Sequence, residues 1–406
     1  MRAPNVFASK GLPNAVLVLL LLTFLVSSGA DTRKQFADDS THLSNVHSSK
    51  PINDVFGIPL STYPAHADRR GGSLTFLWSS GDAPNPLFNA EMNFALYEGI
   101  AGNIRELHWH PDASEWAFVL SGRCFATMLD PSGKVANGVL NFGDVWYFPR
   151  NWAHAIQAGK PGCRAVLVFN SPEWVPSNDF GLSQLLTRFP PSQGATSFGF
   201  SDAASAAAQQ RQLMSVAGDN DPILLSMGPV PDEVWPIESS AQSAHNPIWP
   251  FLKMQPKQNY SGNVVQQLFQ ESFTFAADLS GEWDVMQPGA VRSAHWHANA
   301  GEFQYVVTGS LHVTVVSFGG NSQELNLGAG DLGWAPVGFP HSYECASANH
   351  CEVLLAWNTG NLETFELFPL LQFSPPTVLA SNLNMTLKRF QKLVPAELFS
   401  AGRITR

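Results

Sequence analysis

The stretch His108-Trp-His110-Pro-Asp-Ala-Ser-Glu115-Trp-Ala-Phe-Val-Leu-Ser-Gly122 decides the fold, because it recurs as His295-Trp-His297-Ala-Asn-Ala-Gly-Glu302-Phe-Gln-Tyr-Val-Val-Thr-Gly309. Each copy is followed by a Gly-Asp segment that closes on a further histidine. These segments read Gly143-Asp-Val-Trp-Tyr-Phe-Pro149-Arg-Asn-Trp-Ala-His154 and Gly330-Asp-Leu-Gly-Trp-Ala-Pro336-Val-Gly-Phe-Pro-His341. Subtracting 108 from 295, 115 from 302, 122 from 309, 149 from 336 and 154 from 341 gives 187 each time. A register held over that span identifies two copies of one domain.

Strand geometry converts the repeat into chemistry. Neighbouring side chains on a strand face opposite ways, so His-X-His aims both imidazoles at one side and sends Trp109 or Trp296 to the other. A glutamate after a four-residue turn and a third histidine from a partner strand can reach the same point. The expected ligand sets are His108, His110, Glu115 and His154, then His295, His297, Glu302 and His341. Three neutral imidazoles and a carboxylate suit a divalent first-row ion such as manganese or iron(II), with two octahedral positions open. A closed structural zinc site more often includes cysteine, and neither cluster contains one.

These residues resemble the cupins. Gly102-X5-His108-X-His110-X4-Glu115-X6-Gly122, repeated from Gly289 through Gly309, is similar to the first cupin motif. Gly330-X5-Pro336-X-Gly338-X2-His341 is similar to the second, and the first copy departs from it with Asn151 where glycine is usual. Arg105-Glu-Leu-His-Trp-His110 and Asp144-Val-Trp-Tyr-Phe-Pro149 resemble the oxalate decarboxylases among two-cupin proteins. The resemblance spans about residues 70 to 395. It implies an all-β chain of two tandem cupin domains, double-stranded β-helix or jelly-roll barrels with short flanking helices. It also implies two Mn(2+) per chain, with iron as the other candidate.

The rest of the chain fits that frame. Its 406 residues, 44% hydrophobic and 14% charged, suffice for two domain cores. Arg2, Lys10, the apolar run Ala15 to Val26 and Ser28-Gly-Ala30 read as a secretory signal peptide over residues 1–30, too short to span a bilayer. Cleavage after Ala30 removes two positive charges and no acids, taking the formal charge from −10 to −12. That balance argues against nucleic acid or an anionic membrane surface as partner, and no membrane association is expected after cleavage. Residues 31–70 read as an arm that wraps across the neighbouring barrel, 71–192 as the first cupin, and 193–243 as a linker. Residues 244–395 are then the second cupin and 396–406 a tail.

Short Val/Phe/Tyr/Trp-rich runs punctuated by Gly, Pro, Asn and Asp predict antiparallel strands in both copies, with Gly122 and Gly309 at turns. Leu182, Leu185, Leu186 and Phe189, stopped by Pro190-Pro191, have helix spacing. So do Leu367, Leu370, Leu371 and Phe373, stopped by Pro375-Pro376, and Leu383, Leu387, Phe390 and Leu393. Asp202 to Val216 adds a helical stretch in the linker. These helices are expected on the barrels or across a subunit interface, and the chain is expected to be a homo-oligomer. Cys345 and Cys351 flank a short polar link and suit a local disulfide; Cys124 and Cys163 either pair or stay as buried thiols. Asn259-Tyr-Ser261 and Asn384-Met-Thr386 are glycosylation sequons, compatible with secretion.

The resemblance also bears on catalysis. Its family places an anion-holding arginine three residues before the His-X-His pair, which maps onto Arg105 and Arg292; a guanidinium can grip a carboxylate through two N–H groups. The substrate implied is oxalate, a small dicarboxylate, with dioxygen as co-reactant. The family's proton-donating lid glutamate falls on Pro176, within Val175-Pro176-Ser177-Asn178, and its second glutamate on Ala356. Glu173, Asp179 and Glu363 are the nearby acids and so the candidate donors. The leading expectation is a secreted manganese bicupin that decarboxylates oxalate to formate and carbon dioxide. The alternatives are an oxidase of the same fold releasing hydrogen peroxide, or a non-catalytic metal-binding or storage bicupin.

Overall fold

A computed structural model describes residues 55–60, 63, 67–69, 71–77, 85–197, 225–228, 230, 238–260 and 263–393, with five positions between 202 and 208. The expected signal segment, most of the arm, most of the expected linker helix and the tail lie outside the described residues.

Alternating apolar residues produce antiparallel strands in both halves, as the sequence predicts. In the second half, a seven-stranded sheet holds Ser280–Met286, Glu302–Thr308, Leu332–Ala335 and Cys351–Trp357, and a five-stranded sheet holds Val291–His297, Ser310–Val316 and His341–Cys345. The first half joins eleven strands into one hydrogen-bonded sheet because its strands Glu115–Leu129 and His154–Phe169 run on where the second half breaks. None of the sheets closes into a ring among the described residues. Gly309 stands between two strands with φ +85°. Gly122, with φ +80°, lies inside one long strand at a register shift, so it is a bulge rather than the expected turn. Both cysteine pairs are disulfides: Cys124–Cys163 links two neighbouring strands, and Cys345–Cys351 spans the break between two others.

The halves exchange edge strands. Gly57–Ile58, from the arm, pairs with Gly333 and Leu332 of the second half. Ile248–Trp249, which leads into the second half, pairs with Trp146 and Val145 of the first. Gly333 and Trp146 are counterparts in the repeat, since 333 minus 146 is again 187, so the two added strands dock at equivalent places. Aromatic side chains seal the face between the halves. Trp283 stacks on Phe118 with centroids 5.1 Å apart, and Phe94 on Tyr305 at 5.4 Å. Trp116 lies against Gly281, where no Cβ would fit. One apolar core therefore runs through both halves.

Helices follow at Leu182–Arg188, Leu367–Phe373 and Leu387–Leu393, near the predicted places. The proline pairs do more than stop helices: Pro191 and Pro376 each open a new one, Pro191–Ser197 and Pro376–Asn382. The first helical position needs no N–H and suits the fixed φ of proline.

The interiors differ. The second half buries Glu282 and Asp284 on one strand face, where the first has Ala95 and Tyr97 at the same register. Tyr343 Oη donates to Asp284 Oδ2 at 2.7 Å, and the Gln267 amide donates to Glu282. Burial, reinforced for Glu282 by the neighbouring Asp284 charge, raises both carboxyls above their ordinary range.

Two outcomes are expected from this packing. Trp283→Ala removes a ring that bridges the halves, and should lower unfolding free energy by about 3–5 kcal/mol in denaturant titration. Glu282 titrates in the opposite sense to a salt-bridged acid. Its raised pKa favours folding below the ordinary carboxylate value near 4, and that contribution is lost as pH climbs toward neutrality. The stability of Glu282→Gln relative to the natural chain should therefore improve as pH rises from about 4.5 to about 8. Parallel curves at the two pH values would refute it.

Candidate metal centre

Strand ends place the cluster. His108 and His154 face each other across adjacent strands, and His295 and His341 do the same in the second half. In both pairs the register slips between the arginine three residues upstream and the histidine, at Arg105/His108 and Arg292/His295. Glu115 and Glu302 are the first residues of their strands. The turn before the last histidine needs a left-handed residue. Gly338 supplies it with φ +77°, and Asn151 with φ +67°, which explains how asparagine stands in for glycine.

The structure brings together both expected sets. In each, one nitrogen or oxygen from every residue lies within 4.8 Å of the others, and all eight side chains are buried. His110 Nε2 is 3.0 Å from Glu115 Oε2 and 3.1 Å from His154 Nε2. His297 Nε2 is 2.7 Å from Glu302 Oε2, and His341 Nε2 is 3.4 Å from Glu302 Oε1.

The donor chemistry fits a cation. His108 and His154 donate through Nδ1 to the carbonyls of Glu106 and Trp152, at 2.7 and 2.8 Å. His295 and His341 donate likewise to Ser293 and Phe339. With the ring proton on Nδ1, each Nε2 presents a lone pair to the cluster. His341 Nε2 is buried with no hydrogen-bond partner, the orphan a metal bond would satisfy. Burial, then the adjacent Arg105 or Arg292 charge, pushes His108 and His295 well below the ordinary histidine value; burial also lowers His154 and His297. Burial opposes the charge on Glu115 and Glu302, but the surrounding imidazoles outweigh it and hold both carboxyls well below the usual range. His110 differs: burial alone would depress it, yet Asp179 and Glu115 push it up to about 9.

Further N–H groups fix the glutamates. Trp146 Nε1 donates to Glu115 Oε1 at 2.7 Å. Gln304 Nε2 and Trp357 Nε1 donate to the two oxygens of Glu302 at 2.8 and 3.0 Å.

The arginines and acids sort unevenly. Arg105 donates through Nη2 to Asp179 Oδ2 at 2.5 Å and through Nε to His108 at 2.9 Å, while its buried Nη1 has no partner. Asp179 also accepts from His110 Nδ1 at 2.5 Å and Trp174 Nε1 at 3.0 Å. Arg292 spends both terminal nitrogens on Glu366, at 2.9 and 2.8 Å. Of the three acids expected near the centres, only Asp179 reaches one. Glu173 and Glu363 are exposed, and neither side chain makes a hydrogen bond or ion pair with a cluster. Pro176 is buried and opens a short 3-10 turn, Pro176–Asn178.

Glu366, Trp174 and Thr364, whose Oγ1 lies 3.0 Å from His297 Nδ1, went unremarked in the sequence. One signal pointed to Glu366. Both arginines meet an acid 74 residues downstream, so Asp179 and Glu366 keep the offset of the repeat.

Comparison with known proteins agrees with this architecture. The cupin family profile matches residues 68–204 and 251–389. Oxalate decarboxylase OxdC of Bacillus subtilis (strain 168) is 28% identical over 302 residues, covering 73% of this chain and 74% of that protein. An oxalate decarboxylase of Arthroderma benhamiae is 25% identical, covering 72% of each. A solved structure of Bacillus subtilis oxalate decarboxylase at pH 4.6 superposes with a TM-score of 0.71 at 22% identity, over 85% of this chain and 88% of that one. With the profile matched twice and the whole two-part fold shared, the chain belongs to the cupin family as a bicupin of the oxalate decarboxylase group.

Proposed function

We propose that this chain is a secreted, manganese-dependent bicupin that degrades oxalate to formate and carbon dioxide, with the first centre taking the substrate. The observation that carries this reading is the buried, unpartnered Nη1 of Arg105 beside the His108/His110/Glu115/His154 cluster. A buried guanidinium N–H without an acceptor favours an arriving carboxylate. Neither terminal nitrogen of Arg292 is left unpartnered in this way, since Glu366 accepts a hydrogen bond from each. Likeness to oxalate decarboxylases supports oxalate, and a structural study of the Bacillus subtilis enzyme describes Mn(II) centres in that protein.

A divalent ion on the first ligand set would supply Lewis acidity and a redox partner for dioxygen. The chain's own residues do the remainder. Hydrogenoxalate loses its C–C bond and gains a C–H bond, giving carbon dioxide and formate with no other reactant consumed. Arg105 orients the anion and, in turning its N–H groups to the substrate, releases Asp179. Asp179 then takes the substrate's acidic proton and returns it to the carbon, a role the position of Pro176 cannot fill. Trp174 and Phe169, stacked at 3.4 Å, wall off water behind His110.

The oxidase reading has its own support. Buried Pro176 stiffens the turn before Asp179. With that acid kept on Arg105 no proton would reach the carbon, so the two electrons of the C–C bond would pass to dioxygen, giving two carbon dioxide molecules and, with two protons, hydrogen peroxide. Secretion rests on residues 1–30 and accords with two disulfides. A homo-oligomer accords with exposed apolar side chains such as Phe373, 67% exposed, and Leu370 on the helix Leu367–Phe373.

Metal analysis after manganese-supplemented expression should find two ions per chain, and His110→Ala and His297→Ala should each remove about one. In kinetics on oxalate, Arg105→Lys should cut turnover roughly 10–100-fold, about 1.4–2.8 kcal/mol, with metal content intact, while Arg292→Lys changes it less than about threefold. Asp179→Asn should lower the formate-to-peroxide ratio at least about tenfold, and Glu173→Gln should leave it unmoved. Equal effects at the two arginines would overturn the assignment of the first centre.

A further inference from the structure

The residue just before each cluster glutamate is held from the opposite half of the molecule. Ser114 N–H donates to Asn170 Oδ1 at 2.7 Å, and Asn170 Nδ2 donates to Asp278 Oδ2 at 2.8 Å. Asp278 lies in the loop ahead of Ser280–Met286, in the second half. It also accepts from Ser114 Oγ at 2.9 Å and Tyr147 Oη at 2.6 Å. The second centre repeats the arrangement in reverse. Gly301 N–H donates to Asn358 Oδ1 at 3.0 Å, and Asn358 Nδ2 donates to Glu91 Oε2 at 3.1 Å. Glu91 lies ahead of Asn93–Gly99, in the first half. Glu91 and Asp278 are counterparts in the repeat, as are Ser114 and Gly301: 278 minus 91 and 301 minus 114 both give 187.

An asparagine amide is almost symmetric in shape, so its neighbours decide which end faces which way. A carboxylate on one side draws the NH2 group and turns the carbonyl oxygen toward the backbone N–H of Ser114 or Gly301. That N–H begins the strand whose first side chain is Glu115 or Glu302. Without the acid, the amide has no reason to keep its orientation. The backbone that aims the glutamate then loses a buried hydrogen bond.

We propose that Asp278 and Glu91 are positioning residues, each fixing the metal-binding glutamate of the opposite half, so that each centre is completed only by the other domain. The inference rests on the metal reading above and names residues that touch neither ion nor substrate. It predicts a crossed effect, which a general loss of stability would not produce.

The test uses the full chain with one centre silenced. In a His297→Ala background, where the first centre alone remains, Asp278→Ala should weaken manganese binding about tenfold or more in a chelator competition. In a His110→Ala background the same change should leave binding within about twofold. Glu91→Ala should show the reverse pattern. Asn170→Ala, which removes the intermediary and spares the acid, should reproduce the effect of Asp278→Ala at the first centre. Thermal midpoints measured alongside identify any variant that fails to fold, and the Asn170 variant then carries the decision. Equal weakening of both centres, or of neither, would overturn the proposal. If the histidine variants alone remove no ion, the metal reading itself fails, and that result is visible before any acid is changed.

Discussion

Three imidazole lone pairs and a carboxylate aimed at one buried point are unstable company unless positive charge sits among them. That constraint organises both halves of this protein. Backbone carbonyls hold the ring protons of four histidines on the outer nitrogen, so the inner nitrogens have nothing to donate. Indole and amide N–H groups take up glutamate oxygens and keep each side chain turned inward. With its three imidazoles neutral, as ligation requires, each set would carry one negative charge in a buried site, and a divalent ion would offset it with charge to spare for an anionic ligand.

On this shared frame the halves have diverged in how each arginine is satisfied. Strand pairing makes Gly181 the counterpart of Glu366, since each faces the first histidine of its His-X-His pair, although the offset of the repeat alone would put Asp179 there. In the first half Glu106 occupies the space over Gly181 and binds Ser183, leaving Asp179 to reach Arg105. In the second, Ser293 replaces Glu106, Glu366 fills the space and grips Arg292 with both oxygens, and Thr364 stands at His297. A two-residue slip along one strand thus converts an arginine with an unpartnered N–H into one that is closed.

The sequence disclosed the parts whose logic is local or periodic. His-X-His, the glutamate five residues on, and the last histidine all recur at one spacing, so the clusters and the two-domain fold were legible together. Asn151 looked like a departure, yet its left-handed φ does what Gly338 does. What stayed hidden depends on slips and long-range partners. The slip that brings Thr364 rather than an acid to His297 follows from strand pairing, which composition does not encode. Asp179 and Glu173 sit six residues apart with the same charge, and only the 3-10 turn at Pro176 decides that one is buried and the other exposed. The proline pairs misled in a smaller way: their stop signal was read, and their equal fitness to begin a helix was not.

The exchanged edge strands have a consequence for how the chain matures. Gly57 pairs with Gly333, most of the chain's length downstream. Ribosomes add about 5–20 residues per second, so the N-terminal strand waits roughly 14–55 s for its partner to be made. The strand that completes the first half, Ile248–Trp249, follows its partners Val145 and Trp146 much more closely in the chain and arrives far sooner. During that interval the emerging chain exposes an unpaired strand next to Phe56, which ends fully buried against Phe88 and Phe339. The order of synthesis therefore asks for protection of this one segment until the second half has folded, and makes the N-terminal strand the last stitch to close.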